Sequence, residues 1–226
     1  MEITQDLEKR LQKMLHIFLE ENTKLNLSAL RTPELCWTGN ILDSLALLDI
    51  VQELTAHSPQ PKLVDIGTGG GFPLLPLAIC LPDLRLTGID ATQKKIDAIA
   101  RMVSALDLRN IDLLCGRTED LGHHFREEFD IVTARAVAPI NTLLEYCSPL
   151  AKVGGFVVLW KSMHIDEELK ESLLARAELS CHLIKQYEYD LGGDWGKRQL
   201  LVFEKTAPLS KKYPRKRGVP KKEPLK

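Results

Sequence analysis

The sequence predicts an α/β fold, a mostly parallel sheet of seven strands with helices on both faces, entered through an N-terminal helical cap. Three observations carry that prediction. Between residues 61 and 206, short apolar runs alternate with stretches of helical period, which implies parallel strand pairing with crossovers over both sheet faces. Residues 1–60 show helical period alone. Between the first strand and the first helix of the alternating region, "VDIGTGGGFP" packs four glycines into five positions, 67–71.

In order along the chain, Ile3, Leu7, Leu11, Met14 and Phe18 recur at three- and four-residue intervals, one face of an amphipathic helix. Thr32, Pro33 and Glu34 read as N-cap, first-turn proline and first-turn acid of a second helix running through Leu35, Ile41, Leu42, Leu45 and Leu48. The turn-rich "HSPQPK" closes this cap at about residue 60. Then "KLVDIG", "LRLTGID", "NIDLLCG", "FDIVTAR" and "GGFVVLW" read as strands, and "PLLPLAICL", "TQKKIDAIARMVSALDL" and "NTLLEYCSPL" as helices. "CHLIKQYEYDL" and "KRQLLVFEK" are expected as an antiparallel hairpin around "GGDWG". The domain expectation is thus a cap over 1–60, a sheet domain over 61–206 and a basic tail over 207–226.

Composition narrows the class. At 226 residues, 44% hydrophobic and 27% charged, the chain has the make-up of a globular protein, not a disordered or fibrous one. No apolar run approaches the roughly 20 residues needed to cross a bilayer, and "MEITQDLEKR" lacks the pattern of a signal peptide, so a cytoplasmic protein without membrane partners is expected. Cys36, Cys80, Cys115, Cys147 and Cys181 are scattered singly and read as buried free thiols. The six histidines lack ligand spacing, so no metal is expected. The net charge of -1 conceals a tail, "KKYPRKRGVPKKEPLK", with eight Lys or Arg against one Glu. Such a tail either prefers an anionic partner, nucleic acid first, or is merely solvated. Its three prolines and lack of apolar period predict no regular structure.

A glycine-rich turn between strand and helix lets a ligand touch backbone amides. A dinucleotide fold would space the glycines as G-x-G-x-x-G; here Gly67, Gly69 and Gly71 are tighter, and Asp65 precedes them inside the strand. A carboxylate there repels a pyrophosphate and suits a cationic ligand. S-adenosylmethionine carries both an ammonium and a sulfonium. Asp65 alternatively caps the amides of the loop itself. Asp90 closes the next strand, where an acid accepts from ribose hydroxyls or else caps the following helix. Glu119 and Asp120 follow the third strand, on the side where adenine is then expected.

At the level of motifs, the chain resembles the bacterial 16S ribosomal RNA (guanine-N7) methyltransferase G family along nearly its whole length. The resemblance rests on "KLNLSALRTPEL", "ILDSLAL", "DIGTGGGFPLLPLAI", "TARAVAPI", "VLWKS" and "KKYPRKRGVPKKEPL". It departs at Gly39 and Asn40, where the family carries a basic residue and a histidine, and at Gly70 and Leu74 of the glycine loop. The resemblance implies a Rossmann-like methyltransferase fold, S-adenosylmethionine as cofactor, and 16S ribosomal RNA or the small ribosomal subunit as partner. It also implies cofactor contacts from Gly67 and Phe72, from Thr118 and Glu119 on the adenosine half, and from Arg135 at the junction of cofactor and base.

Guanine N7 carries an in-plane lone pair, so its methylation needs no general base, and positioning is expected to dominate. Arg135 and Lys161 are the expected catalytic residues, holding the guanine, its phosphate or the cofactor carboxylate while leaving N7 free. Their competing readings are ion pairs at strand ends. Arg117 either meets RNA or balances Glu119. Asn26 and Arg31 either face RNA or end a helix and lie in solvent. A small-molecule methyltransferase and a non-catalytic RNA-binding assembly factor remain the alternatives. The sequence does not fix the oligomeric state, and a monomer is the expectation.

Overall fold

The fold was described on a computed structural model of the chain, over residues 4–135 and 138–226. Ile3, and Ala136 and Val137 of "TARAVAPI", lie outside the described residues. One seven-stranded sheet has the order β3-β2-β1-β4-β5-β7-β6. Strands β1 (Lys62–Ile66), β2 (Arg85–Asp90), β3 (Ile111–Cys115), β4 (Phe129–Arg135) and β5 (Ala151–Ser162) pair in parallel. β6 (Cys181–Asp190) and β7 (Lys197–Lys205) form the expected hairpin. β7 sits between β5 and β6 and is antiparallel to both. Its central run Leu200, Leu201, Val202 and Phe203 is buried on both faces, which explains an apolar stretch without alternation.

Each face of the sheet has its own core. On one, α1 (Gln5–Leu25), α5 (Leu74–Cys80) and α6 (Gln93–Ala105) bury Leu11, Met14, Phe18, Leu74 and Ile99 with Leu63 and Ile131 of the sheet. On the other, α8 (Ile140–Cys147) and α10 (Leu173–Glu178) cover Val64, Val132 and Phe203. The N-terminal segment therefore shares a core with the sheet. Salt-bridged Arg101 and Glu21 tie α6 to α1, and the Lys13 ammonium donates to the Ala105 carbonyl at 3.1 Å.

The second cap helix starts as expected, with the Thr32 hydroxyl accepting from the Leu35 amide at 3.3 Å. It does not run on as one regular helix. α2 (Pro33–Cys36) widens into a π turn at Trp37–Leu42, then continues as α3 (Asp43–Leu45), a 3-10 turn at Ala46–Asp49 and α4 (Val51–Thr55). Gly39 lies in the π turn, where an added Cβ would stand 2.2 Å from the Trp195 ring, so only glycine lets the β6–β7 loop close on the cap.

Three expectations are corrected. Short polar helices α7 (Thr118–His124) and α9 (Asp166–Glu171) occupy stretches where no helix was read, and α10 follows α9 directly. The basic tail is not without order. It packs along α7 and α8, buries Tyr213 and Pro220, and forms α11 (Val219–Lys222). Its cations find carboxylates in the chain: Arg215 on Glu145, Arg217 on Asp120, Lys212 on Glu178 and Lys226 on Glu171. Finally, Cys115 is exposed at the end of the edge strand β3, whereas the other four cysteines are buried and free.

Candidate functional site

The C-terminal ends of β1, β2, β3 and β4 meet around a cleft of about 550 Å³. This is the position at which open parallel sheets bind ligands, because the loops there lie over the crevice between neighbouring crossovers. β1 ends in the glycine loop, whose Gly67, Gly69 and Gly71 all have positive φ, of 68°, 57° and 90°. A side chain would strain the backbone at each. Gly70 is glycine for another reason: its Cβ position lies 3.1 Å from the Phe18 ring and 3.3 Å from Leu27, so the N-terminal segment closes on the loop there.

Asp90 is what holds the loop in shape. Its Oδ2 accepts from the Gly69 amide at 3.0 Å and its Oδ1 from the Thr92 amide at 2.9 Å. Each oxygen keeps a lone pair for a ligand hydroxyl. Asp65 does not cap the loop. It is buried behind it, accepting from the Thr133 hydroxyl at 2.8 Å through Oδ1, while Oδ2 is buried without a hydrogen bond. Burial pushes its carboxyl up to about 7, against the pull of the Thr68 and Thr133 hydroxyls and the Arg135 charge. A cation seated near the loop would relieve this buried acid.

Five of the nine sequence-predicted cofactor residues, Gly67, Asp90, Thr118, Glu119 and Arg135, line the cleft. Gly69, Gly71, Asp65 and Phe72 shape it from behind. Phe72 is buried edge-on against Phe18, with ring centroids 4.8 Å apart, and carries the Arg135 guanidinium 5.6 Å above its ring. Arg135 itself turns to the cap. It donates to Asp43 Oδ2 and Asn40 Oδ1, both at 3.0 Å, and to the Gly39 and Asn40 carbonyls that the π turn presents. Asn40 thus stands as an acceptor for Arg135.

Lys161 lies outside the cleft wall. Its ammonium is shared by the Ala138 carbonyl at 3.0 Å and Glu168 at 2.6 Å, and Glu168 also caps the Ile140 amide at the start of α8. Lys161 thus holds the carbonyl of Ala138, a wall residue of the cleft. Arg117 lines the cleft as the N-cap residue of α7. Asn26 is the left-handed C-cap of α1, and Arg31 donates to its side chain at 2.8 Å, away from the cleft.

Sequence reasoning missed several residues here. Asp43, in "ILDSLAL", is a buried hub: it takes Arg135, the Tyr189 hydroxyl at 2.6 Å and, through its carbonyl, the Trp160 indole at 2.8 Å. An acid inside an apolar helical run was the available signal. Leu143 and Tyr146 supply an apolar wall from α8, and Lys221 reaches the cleft from the tail. Nothing in the tail's composition pointed there.

Comparison with known proteins agrees with this geometry. Residues 7–193 match the family model described as GidB, rRNA small subunit methyltransferase G. Proteins named ribosomal RNA small subunit methyltransferase G are similar over most of both chains. That of Streptococcus pyogenes is 40% identical, covering 92% of this chain and 87% of its own. That of Carboxydothermus hydrogenoformans is 38% identical, covering 95% and 90%. Among solved structures, the 16S rRNA (adenine(1408)-N(1))-methyltransferase from Catenulisporales acidiphilia is 16% identical, with a TM-score of 0.57 over 72% of this chain and 93% of that one. M. jannaschii TYW2 in complex with AdoMet is likewise 16% identical, with a TM-score of 0.51 over 71% and 76%. These two show the fold alone. With a family model matched over residues 7–193 and relatives 38–40% identical over most of both chains, this chain belongs to the rRNA small subunit methyltransferase G family.

Proposed function

We propose that the chain methylates N7 of a specific guanine in 16S ribosomal RNA, with S-adenosylmethionine as methyl donor. The observation that carries the reading is the convergence of Gly67, Asp90, Glu119 and Arg135 on one cleft at the strand ends. The donor set fits this cofactor. Asp90 keeps lone pairs for ribose hydroxyls, Glu119 and Thr118 flank the space next to Leu143 and Tyr146 for an adenine, and the unbonded oxygen of buried Asp65 favours a nearby cation. Bound there, the cofactor supplies an electrophilic methyl group on a sulfonium.

The remaining work is positioning. Arg135, held by Asp43 and Asn40 and resting on Phe72, fixes the cap against the cleft, so that a base entering beside it meets a preformed wall. Lys161 holds the Ala138 carbonyl on the same side. In this division of labour residues 1–60 guide the base, 61–206 hold the cofactor, and 207–226 serve both. The exposed lysines Lys211, Lys216, Lys221 and Lys222, which have no carboxylate partner among the described residues, are suited to RNA phosphates. The small ribosomal subunit or its 16S RNA is the partner, which puts the activity in the cytoplasm. Among the described residues no helix is long and apolar enough to cross a membrane.

The test is incubation with methyl-labelled S-adenosylmethionine and small subunits, naked 16S RNA or a metabolite extract. Label in 16S RNA at a site cleaved by aniline after borohydride reduction, the signature of 7-methylguanine, is the expected result. Label in metabolites, or none, contradicts the reading.

A further inference from the structure

The tail is fastened to the cleft wall by contacts of different kinds. The carboxylate of Glu145 on α8, buried in the protein, receives Arg215 through Nε at 2.8 Å, Nη2 at 2.6 Å and the backbone amide at 3.2 Å. Arg217 pairs with Asp120 on α7. The Gly218 amide donates to Glu119 Oε1 at 2.9 Å, with Gly218 at a φ of 76° that favours glycine. Pro220 is buried, and its carbonyl accepts from the Thr142 hydroxyl at 3.2 Å. Past these anchors, Lys221 stands in the wall of the same cleft as Glu119, Asp90 and Gly67.

Glu119 is therefore set by the tail. Its Oε1 is occupied by the Gly218 amide, while Oε2 has no hydrogen bond among the described residues. A carboxylate gripped on one oxygen presents the other in a fixed direction, at less loss of side-chain freedom on ligand binding. We propose that segment 214–223 is a working wall of the cofactor cleft: it orients Glu119, supplies Lys221, and is stabilised in its docked position by the bound cofactor. The segment then couples the two substrates, since an RNA that draws on its lysines acts on the same element that shapes the cofactor site. This rests on the reading of the cleft as an S-adenosylmethionine site.

Linkage makes the proposal measurable. If the cofactor favours the docked segment, it must lower the equilibrium population of the open segment by the same factor by which docking tightens the cofactor. Amide hydrogen exchange of the full chain, with and without saturating S-adenosylhomocysteine, reads this directly. Protection of about tenfold is expected for amides in 215–223 as well as in the glycine loop 67–71, with the start of β6, at the opposite end of the sheet, unchanged. In the same terms, Gly218→Pro, which removes the amide donor and cannot adopt a positive φ, is expected to bind S-adenosylhomocysteine about tenfold more weakly. Protection confined to 67–71 overturns this proposal and leaves the cofactor reading intact. Protection at neither segment overturns both.

Discussion

Of the two acids that flank the glycine loop, one lines the cleft and one is buried behind it, and they make different demands. Asp90 was legible in the sequence because its place at the end of β2 is fixed by topology; it bonds the Gly69 and Thr92 amides and faces the cleft, and the N-cap of α6 is Thr92, not Asp90. Asp65 was legible as an acid beside the loop but not as a buried one, since burial depends on what packs across the sheet. Its folded pKa of about 7 lies above the ordinary 3.8, so the folded state holds the proton more tightly than the unfolded state. The sign follows: with no other change, stability is highest where both states are protonated and falls as pH rises from about 4 to about 7. Asp65→Asn has no charge to bury, so its urea midpoint, measured from pH 5 to 8, is expected to lose less with rising pH than that of the wild type. For Arg135 the sequence offers a contact to guanine, phosphate or cofactor, or an ion pair at a strand end, and the structure pairs it with Asp43. What the sequence concealed was Asp43 and Asn40, acceptors that only the π turn brings to it.

At the scale of elements, β1 to β5 and β7 were readable as apolar runs bounded by turn residues and β6 by its alternation, and five of the seven are the parallel core of the sheet. α7 and α9 were not, since "TEDLGHH" and "DEELKE" are short and carry no apolar period. The tail was misjudged because composition counts charges without their partners. Its anchors differ in strength by their burial. Glu145 is 1% exposed at the side chain, so Arg215→Ala leaves a buried carboxylate without its main partner and is expected to cost about 3 to 5 kcal/mol in denaturant unfolding. Arg217 is 68% exposed, and Arg217→Ala is expected to cost under about 1 kcal/mol. Equal effects of the two would refute the buried anchor.

Over the whole molecule, the charge asymmetry seen in the sequence is partly cancelled by folding, since four of the eight tail cations are paired within the chain. Of the tail's cations, the remaining lysines have no carboxylate partner among the described residues and are free to release counterions from RNA. Replacing Lys211, Lys216 and Lys222 together with alanine is expected to reduce the slope of log affinity against log salt by about 2, at roughly 0.7 per single-stranded phosphate contact. An unchanged slope would mean that RNA is gripped elsewhere. The account as a whole depends on a cationic methyl donor occupying the cleft at the ends of β1 to β4. Titration calorimetry of the folded chain with S-adenosylhomocysteine tests it most directly, comparing the wild type with Gly67→Val, which puts a β-branched residue at a φ of 68°. The account predicts saturable binding to the wild type and none to the variant. No heat with the wild type, or equal affinity in both, would contradict it.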